Sequence, residues 1–265
     1  MPLSTWFVLG AGYTGTVLAR RLVAEGHRVI VTRRALAAAE EVAREVGAEP
    51  RAVDLAHANE PAPADSIVVC LAPPAGDPHA EIAHLLELAA GAAKLVYVSS
   101  TGVYAAGGGA WVDEHWPLVP ATVSGNARLA AERALPATAI ILRAAGIYGP
   151  GRGIADRLRA GTYRIVGDGS AHVSRIHVDD LVEAIIRAGT SALTGPINCA
   201  DDDPAPIGEL AARIAAQLGV APAPHVAPES VGLEIAGMLT ADRRIANGRM
   251  KAELGVVLRH PMVES

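Results

Sequence analysis

The sequence is poor in cysteine, in aromatic residues and in positive charge, and each shortage excludes a class of protein. Its two cysteines, Cys70 and Cys199, lie in apolar runs and are predicted to be core residues, neither a disulfide pair nor half of a metal site. A net charge of -5 without a basic stripe excludes a nucleic-acid-binding surface. With one phenylalanine in the chain, alanine, valine and leucine must supply most of the hydrophobic core.

Long hydrophobic runs and several catalytic motifs are also missing. No apolar run is long enough to span a bilayer, and the first predicted strand begins at about residue 5, which leaves no room for a signal peptide. We therefore expect a cytoplasmic protein with no membrane partner. His79 and His84 do not share a helix face and no Cys-x-x-Cys pair occurs, so we assign no metal. The absence of Gly-x-Ser-x-Gly argues against an α/β-hydrolase.

Short apolar runs alternate with amphipathic stretches over the first two-thirds of the chain. Runs this apolar are expected of strands that are covered on both faces in a parallel sheet. The pattern therefore predicts the α/β class, with a doubly wound parallel sheet. Strands are predicted at 5–9, 28–32, 49–54, 66–71, 95–99, 139–143 and 196–200, and helices at 13–25, 36–46, 79–90, 124–134 and 175–187.

The pattern loosens into glycine-rich turns after Pro150, which predicts a second structural region. Residues 1–150 plus roughly 175–200 are predicted to form the sheet domain. Residues 151–174 and 201–265 are predicted to form a small cap over the carboxyl ends of the strands, where ligands bind in such sheets. This small C-terminal region is the expected substrate-binding part.

A G-x-G-x-x-G turn joins the first predicted strand to the first predicted helix: Gly10-Ala11-Gly12-Tyr13-Thr14-Gly15. Gly10 permits the tight turn, Gly12 lets the backbone approach a diphosphate, and Gly15 lets helix and strand pack closely. The amides of Tyr13 and Thr14 begin the helix, whose positive end attracts phosphates. In this context the turn predicts a Rossmann fold that binds a nicotinamide dinucleotide, and a merely structural tight turn is the alternative.

The end of the second strand favours NADP over NAD. NAD-preferring sites place an acid there to hold the ribose 2′-hydroxyl, whereas this chain has Arg33 and Arg34 and no acid between Glu25 and Glu40. Guanidinium groups form charge-assisted hydrogen bonds with a 2′-phosphate. The alternative is that both arginines are solvated charges before a helix, in which case NAD is possible.

Four further segments resemble the extended short-chain dehydrogenase/reductase superfamily, also described as the NAD-dependent epimerase/dehydratase family. In order they are VSSTGVY (98–104), LRAAGIYGPG (142–151), RIHVDDL (175–181) and NCADD (198–202). With the glycine turn, they extend the resemblance from residue 5 to about 210. The resemblance implies that Asp54 approaches the adenine, although Asp54 can also cap the following turn. It also implies a possible homodimer through the helices at 79–90 and 124–134.

The catalytic Tyr-x-x-x-Lys pair of that superfamily is absent. The family's Y-G-x-S-K-L-A-A-E stretch aligns with residues 124–132, which puts Ser124 in place of the tyrosine and Arg128 in place of the lysine. A serine hydroxyl is far less acidic than a phenol and needs another group to activate it. Arg128 can bind ribose hydroxyls but is never deprotonated. The sequence therefore resembles an atypical member whose cofactor site is intact.

Other residues are candidates for the missing acid–base chemistry. Ser100 matches the family's substrate-polarising hydroxyl, but a serine often simply closes a strand. Tyr104 is the best-placed remaining phenol, and packing against the loop is the alternative. His115 can exchange protons near neutral pH, although a solvated loop residue is the better interpretation. His177 is expected to be structural.

Two functions remain open from the sequence. The first is an NADP(H)-dependent oxidoreductase or epimerase-like enzyme acting on a small carbonyl or alcohol, because the predicted cap leaves little room for a nucleotide sugar. The second is a catalytically inactive NAD(P)-binding sensor or partner-binding protein, because the tyrosine and lysine are missing. A third arrangement, in which Ser124 and Arg128 form a different active site, also remains open.

Overall fold

The computed structural model describes residues 3–261 of the chain. The strands are β1 (Thr5–Leu9), β2 (Arg28–Arg33), β3 (Glu49–Ala52), β4 (Ile67–Cys70), β5 (Lys94–Ser100), β6 (Trp111–Val112), β7 (Ile140–Ala144), β8 (Gly146–Tyr148), β9 (Ile165–Val166), β10 (His172–Val173), β11 (Arg175–His177), β12 (Gly195–Cys199), β13 (Ala205–Pro206), β14 (His225–Val226) and β15 (Arg244–Ile245). The α-helices are α1 (Tyr13–Ala24), α2 (Leu36–Val46), α3 (Pro78–Leu88), α4 (Val123–Ala134), α5 (Ile154–Arg159), α6 (Val178–Thr190), α7 (Ile207–Leu218), α8 (Leu233–Leu239) and α9 (Gly248–Ala252).

A seven-stranded sheet organises the main part of the fold, in the order β12-β7-β5-β4-β1-β2-β3. Strand β1 pairs in parallel with β2, where Thr5 lies opposite Arg28, and with β4, where Trp6 lies opposite Ile67. The pairs β2–β3 and β4–β5 are parallel as well. A strand order that grows outward from β1 in both directions is that of a doubly wound sheet. The predicted α/β class is therefore confirmed.

The predicted helix at 175–187 is wrong at its start. Residues Arg175–His177 form β11, which pairs in parallel with Gly146–Tyr148, and the helix begins at Val178. The helix continues to Thr190, so its predicted end at residue 187 was three residues too early. The alternation of Arg175, Ile176 and His177 is too short to distinguish a strand from the first turn of a helix.

The chain divides into two compact units. The first contains the described residues up to Ser99 together with Ala127–Leu142 and Val182–Ile197. The second contains Ser100–Asn126, Arg143–Leu181 and the described residues from Asn198 onward. The sequence-based division into a sheet domain and a cap stays a prediction.

The core of the first unit is made from β-branched and leucine side chains of the strands, with leucines of α3. Members include Phe7, Ile30, Val68, Leu85 and Cys70, all of them buried. Cys70 and Cys199 are both buried, which confirms the prediction that they are core residues.

One glycine sets how closely α6 approaches β1. A Cβ on Gly189 would lie 2.6 Å from the Trp6 ring, so only glycine fits against this buried indole.

The second unit has a hydrophobic core of its own. Helices α5 and α7 pack around Tyr163 and Ile165, and buried leucine and isoleucine side chains of α7 fill the space between them. Apolar positions on α7 recur at helical spacing, at Ile207, Leu210 and Ile214. Within residues 3–261, no helix has the length and apolar character required to cross a bilayer.

Candidate functional site

The glycine turn between β1 and α1 lies in the first unit and depends on the absence of side chains. Gly10 has φ of +89°, and a Cβ there would lie 2.9 Å from the backbone nitrogen of Ala72. A Cβ on Gly15 would lie 2.8 Å from the Gly10 carbonyl oxygen. The Gly10 N–H donates to Thr32 Oγ1 at 3.3 Å, which fastens the turn to the end of β2.

The helix that follows the turn has no side-chain cap. Gly12 is its N-cap residue, and the first turn, which contains Tyr13, Thr14 and Gly15, has no acidic residue. No carboxylate of this first turn therefore offsets the positive end of the helix dipole. A diphosphate is the kind of group that such a helix start attracts.

A cavity of about 720 Å³ opens beside this turn, entirely within the first unit. Gly10, Gly12, Arg33, Arg34 and Asp54 all line it, so the structure brings these predicted cofactor residues together. The cavity has the size of an ordinary small-molecule site.

Arg33 lies against the glycine turn, and Arg34 lines the same cavity. One guanidinium nitrogen of Arg33, Nη1, is 3.5 Å from the point where a Cβ on Gly12 would stand. Both arginines are exposed, so their guanidinium groups are hydrated and carry no desolvation cost while the cavity is empty. The end of β2 therefore presents positive charge to any group that enters the cavity.

Two carboxylates also line the cavity, and each accepts hydrogen bonds from the backbone. Asp54 Oδ1 accepts from the Ala56 N–H at 3.1 Å, so Asp54 caps the turn after β3 and lines the cavity at once. The buried Glu81 carboxylate accepts from the N–H groups of Ala75, at 3.0 Å, and Gly76. Glu81 thus fixes the loop after β4, a role that the sequence did not reveal because its partners are main-chain amides.

Arg128, which aligns with the family's lysine, is also in the first unit. Its Nη1 donates to the carbonyl oxygen of Val98 in β5 at 3.0 Å. Burial raises the pKa of the neighbouring Cys70 thiol to about 12 and raises the pKa of the Tyr97 phenol. Both groups therefore stay protonated near neutral pH, and the charges of Arg128 and Glu81 act on both of them.

The remaining predicted catalytic residues, Ser100, Tyr104 and Ser124, belong to the second unit. The Ser100 hydroxyl accepts the Gly102 N–H at 3.0 Å and so caps the short 3-10 turn that follows β5. The imidazole of His115 is 91% exposed, which fits the solvated interpretation of that loop.

Tyr104 is buried in a polar network. Its hydroxyl donates to Asn198 Oδ1 at 2.7 Å, and Arg143 Nη1 donates to the same hydroxyl at 3.0 Å. The Arg143 guanidinium also lies over the Tyr104 ring, 4.9 Å from its centroid. The phenol O–H is already used in the hydrogen bond to Asn198. Tyr104 therefore has a structural role in this arrangement, which agrees with the packing alternative.

Asn198 is the centre of that network. Its side-chain amide donates to the carbonyl oxygens of Val112, at 3.3 Å, and Ala246, at 3.2 Å. Its main-chain N–H donates to Glu114 Oε1 at 2.8 Å. The fully buried Asn198 thus ties three separate segments of the second unit together.

Ser124 forms a hydrogen-bonded pair with Glu234, a residue that the sequence did not single out. The Ser124 hydroxyl donates to Glu234 Oε1, and the Val123 N–H donates to Oε2 at 3.0 Å. The hydrogen bond from Ser124 lowers the pKa of the Glu234 carboxyl, so Glu234 is ionised at neutral pH. The two residues are 110 positions apart, and no spacing rule joins them.

Asp201 and Asp202, at the end of the NCADD segment, differ in their surroundings. Burial raises the pKa of Asp201 to about 7, whereas the exposed Asp202 pairs with Lys251 at 2.9 Å. The nearby Arg175 opposes the rise in the Asp201 pKa but does not cancel it. The segment therefore contains one carboxyl group that titrates near neutral pH.

A family model described as the NAD dependent epimerase/dehydratase family matches residues 6–200. A curated 3-diazoavenalumate denitrifying reductase from a Streptomyces species is 34% identical over 203 residues, which are 68% of this chain. The chain spans 66% of that reductase's length.

Solved structures match almost the whole chain. A functionally unknown conserved protein from Silicibacter pomeroyi is 32% identical with a TM-score of 0.84, over 98% of this chain and 95% of that one. UDP-glucuronic acid 4-epimerase from Bacillus cereus, in complex with UDP-glucuronic acid and NAD, is 17% identical with a TM-score of 0.78, over 98% and 95%. A human epimerase family protein with NADPH is 20% identical with a TM-score of 0.76, over 97% and 96%. The last two, at these identities, support the fold alone.

Proposed function

The chain belongs to the NAD-dependent epimerase/dehydratase family, and we propose that it transfers hydride between NADP(H) and a small carbonyl or alcohol substrate. A nicotinamide cofactor and an oxidoreductase- or epimerase-like reaction are properties that the family match and the curated reductase support. The preference for NADP(H) over NAD(H) and the small size of the substrate are our proposals.

We base the preference for NADP(H) over NAD(H) on Arg33 and Arg34, which lie beside the glycine turn. Both line the cavity at the end of β2, where an NAD site would have an acid. A 2′-phosphate there would receive charge-assisted hydrogen bonds from planar guanidinium groups.

The cavity residues fit a nicotinamide dinucleotide. The glycine turn is a cradle that a Cβ on Gly10 or Gly15 would fill, and the uncapped start of α1 suits a diphosphate. Asp54 would lie beside the adenosine, and Glu81 would hold the Ala75–Gly76 loop in place. When bound, the cofactor supplies or accepts the hydride.

The reductase relative favours the reductive direction. That protein is named a 3-diazoavenalumate denitrifying reductase, and we take only the reductive direction from it. The small carbonyl substrate rests on the little room that the sequence predicts for a larger one.

Arg33→Ala and Arg34→Ala variants test the cofactor assignment. Each loses charge-assisted hydrogen bonds to the 2′-phosphate, worth about 1.5–3 kcal/mol, so the Kd for NADPH should rise about 10- to 100-fold. The Kd for NADH should hardly change, because NADH has no 2′-phosphate. Isothermal titration calorimetry with both cofactors measures the difference.

Arg44→Ala is the matched control, because Arg44 is an exposed arginine on α2. It should leave both affinities unchanged. Equal losses for NADPH and NADH in Arg33→Ala would remove the phosphate argument and leave NAD as the cofactor.

The pair Ser124 and Glu234 is our candidate for the proton chemistry. Ser124 stands where the family has its tyrosine, and the ionised Glu234 carboxylate accepts a hydrogen bond from its hydroxyl. Glu234 therefore orients the Ser124 hydroxyl so that its oxygen can accept a hydrogen bond from an alcohol substrate. Because its lowered pKa makes the carboxylate a weak base, the substrate proton leaves to solvent.

Ser124→Ala and Glu234→Gln should each lower kcat at least tenfold and leave the Kd for NADPH unchanged. The assay follows NADPH absorbance with a wide panel of small carbonyl compounds, and NADP reduction with the matching alcohols. Glu229→Gln is the control, because Glu229 is an exposed glutamate five residues before Glu234, and this variant should keep full turnover. Full activity of both test variants would exclude this pair.

A wild-type protein that binds NADPH but turns over nothing in the panel would favour the sensor function instead. The sensor predicts a partner protein that is captured in only one cofactor state. Turnover with any substrate of the panel excludes a purely non-catalytic role.

A further inference from the structure

Two histidines and an aspartate meet in the second unit, apart from the candidate residues for cofactor binding and proton chemistry. His177 ends β11, Asp179 lies in the first turn of α6, and His260 follows in the segment after α9. One ring nitrogen of each histidine and one Asp179 oxygen all lie within 4.8 Å of one another. His177 Nδ1 is 3.7 Å from Asp179 Oδ2, and His260 Nε2 is 3.8 Å from the same oxygen.

We propose that His177, Asp179 and His260 form a binding site for a divalent transition-metal ion, with zinc as the best-fitting example. Two imidazole nitrogens and a carboxylate oxygen are a ligand set that zinc, nickel, copper and cobalt accept, and that magnesium and calcium disfavour. Metal–ligand bonds of about 2.0–2.1 Å put tetrahedral ligands about 3.4 Å apart. The two histidine–aspartate distances need a contraction of only a few tenths of an ångström, and the stacked rings must turn apart so that both nitrogens face the ion.

The surroundings hold the ligands in place. The buried Asp180 carboxylate accepts from the N–H groups of Arg259, at 2.8 Å, and His260, at 3.0 Å, which fixes the backbone of the third ligand. Tyr148 packs edge-on against the His177 ring, with centroids 5.1 Å apart. The His177 ring and the backbone of His260 are thus positioned before an ion arrives, which lowers the entropic cost of binding.

The two imidazole rings lie face to face. The His177 and His260 rings stack with centroids 3.6 Å apart. The Asp179 N–H donates to His177 Nδ1 at 3.2 Å, and an ion bound at Nδ1 would replace this hydrogen bond.

Three protein ligands leave a fourth position for water or an anion. Asp179 is exposed and His260 is partly exposed, so solvent reaches the ligands from one side. Sites with three protein ligands and one open position are those at which zinc binds an exchangeable molecule. The segment around His260 would be joined to the start of α6 by the ion.

Zinc titration of the full chain, without a histidine tag and after treatment with a chelator, tests the site by isothermal titration calorimetry. We expect one zinc ion per chain, and at least a tenfold rise in Kd in His260→Ala and in Asp179→Asn. His260→Ala keeps the main-chain N–H that Asp180 binds, so its fold should persist. Zinc should also raise the Tm of the wild type more than that of His260→Ala.

His172→Ala is the matched control, since His172 Nδ1 pairs with Asp242 at 2.8 Å and has an aspartate partner of the same kind. It should bind zinc as the wild type does, and magnesium should give no heat with any variant. Equal zinc affinity in the wild type, His260→Ala and Asp179→Asn would overturn the proposal, as would loss of binding in His172→Ala. Cobalt absorption typical of tetrahedral coordination would support it independently.

Discussion

A Gly12→Ala variant is expected to lose both cofactors while it keeps its fold. The added methyl group meets only Arg33 Nη1, at the ordinary contact distance of 3.5 Å, so the protein itself has room for it. Gly12 lines the cavity, however, and the methyl group would stand where a diphosphate must approach the backbone. We expect the Kd for NADPH and NADH to rise at least 100-fold, or roughly 2.8 kcal/mol at 1.4 kcal/mol per factor of ten.

The neighbouring Gly10 should behave differently. Alanine there combines an unfavourable left-handed backbone with a Cβ 2.9 Å from Ala72 N, so Gly10→Ala should lower the Tm as well as cofactor affinity. Gly232→Ala is the control for Gly12→Ala, because Gly232 is also an N-cap glycine, with open space around it. Thermal melts with and without cofactor separate the effects, and unchanged NADPH affinity in Gly12→Ala would move the diphosphate away from this turn.

Asn198→Ala is expected to be the most destabilising change in the second unit. The buried side chain accepts from Tyr104 and donates to the carbonyl oxygens of Val112 and Ala246, and alanine leaves all three groups without this partner. Each buried polar group that loses its hydrogen bond costs about 1–3 kcal/mol. Allowing for relaxation, we expect the free energy of unfolding to fall by about 3–5 kcal/mol, measured by urea denaturation.

Two comparison variants make that result interpretable. Asn126→Ala removes an exposed asparagine whose side chain donates to Thr122 O at 2.8 Å, and it should cost less than about 1 kcal/mol. Tyr104→Phe removes a single hydroxyl from the same network and should cost about 1–2 kcal/mol. If Asn198→Ala is no more destabilising than Asn126→Ala, the network around Tyr104 does not stabilise the unit.

The sheet was predictable because each of its main strands is a short apolar run that can be recognised in the sequence by itself. Runs such as Trp6–Leu9 and Ile67–Cys70 are buried on both faces, which in a parallel sheet produces uninterrupted apolar sequence. The glycine turn was predictable for the same reason, since Gly10 and Gly15 are required by contacts within one strand–turn–helix unit. The short strand at Arg175–His177 was missed because its pairing with Gly146–Tyr148 is not visible in three residues.

The partners of the candidate residues could not be predicted from the sequence, because they lie on distant segments of the chain. Glu234 meets Ser124, and His260 meets His177, through folding of the chain and not through any spacing. Tyr104 appeared to be an available phenol because its partner Asn198 is 94 residues away. Chemical candidates were therefore predictable by type, whereas their partners were not.

The two hydrogen bonds that the Asp180 carboxylate accepts from the Arg259 and His260 N–H groups also affect folding during translation. A ribosome synthesises Asp180 long before these amides, so a nascent chain that stops before Arg259 leaves the Asp180 carboxylate without these two donors. The start of α6 acquires these hydrogen bonds only after translation has passed that point. Folding of the second unit is thus completed only when residues 259–260 have been synthesised. Nascent chains halted before these residues should be cleaved more readily by proteases.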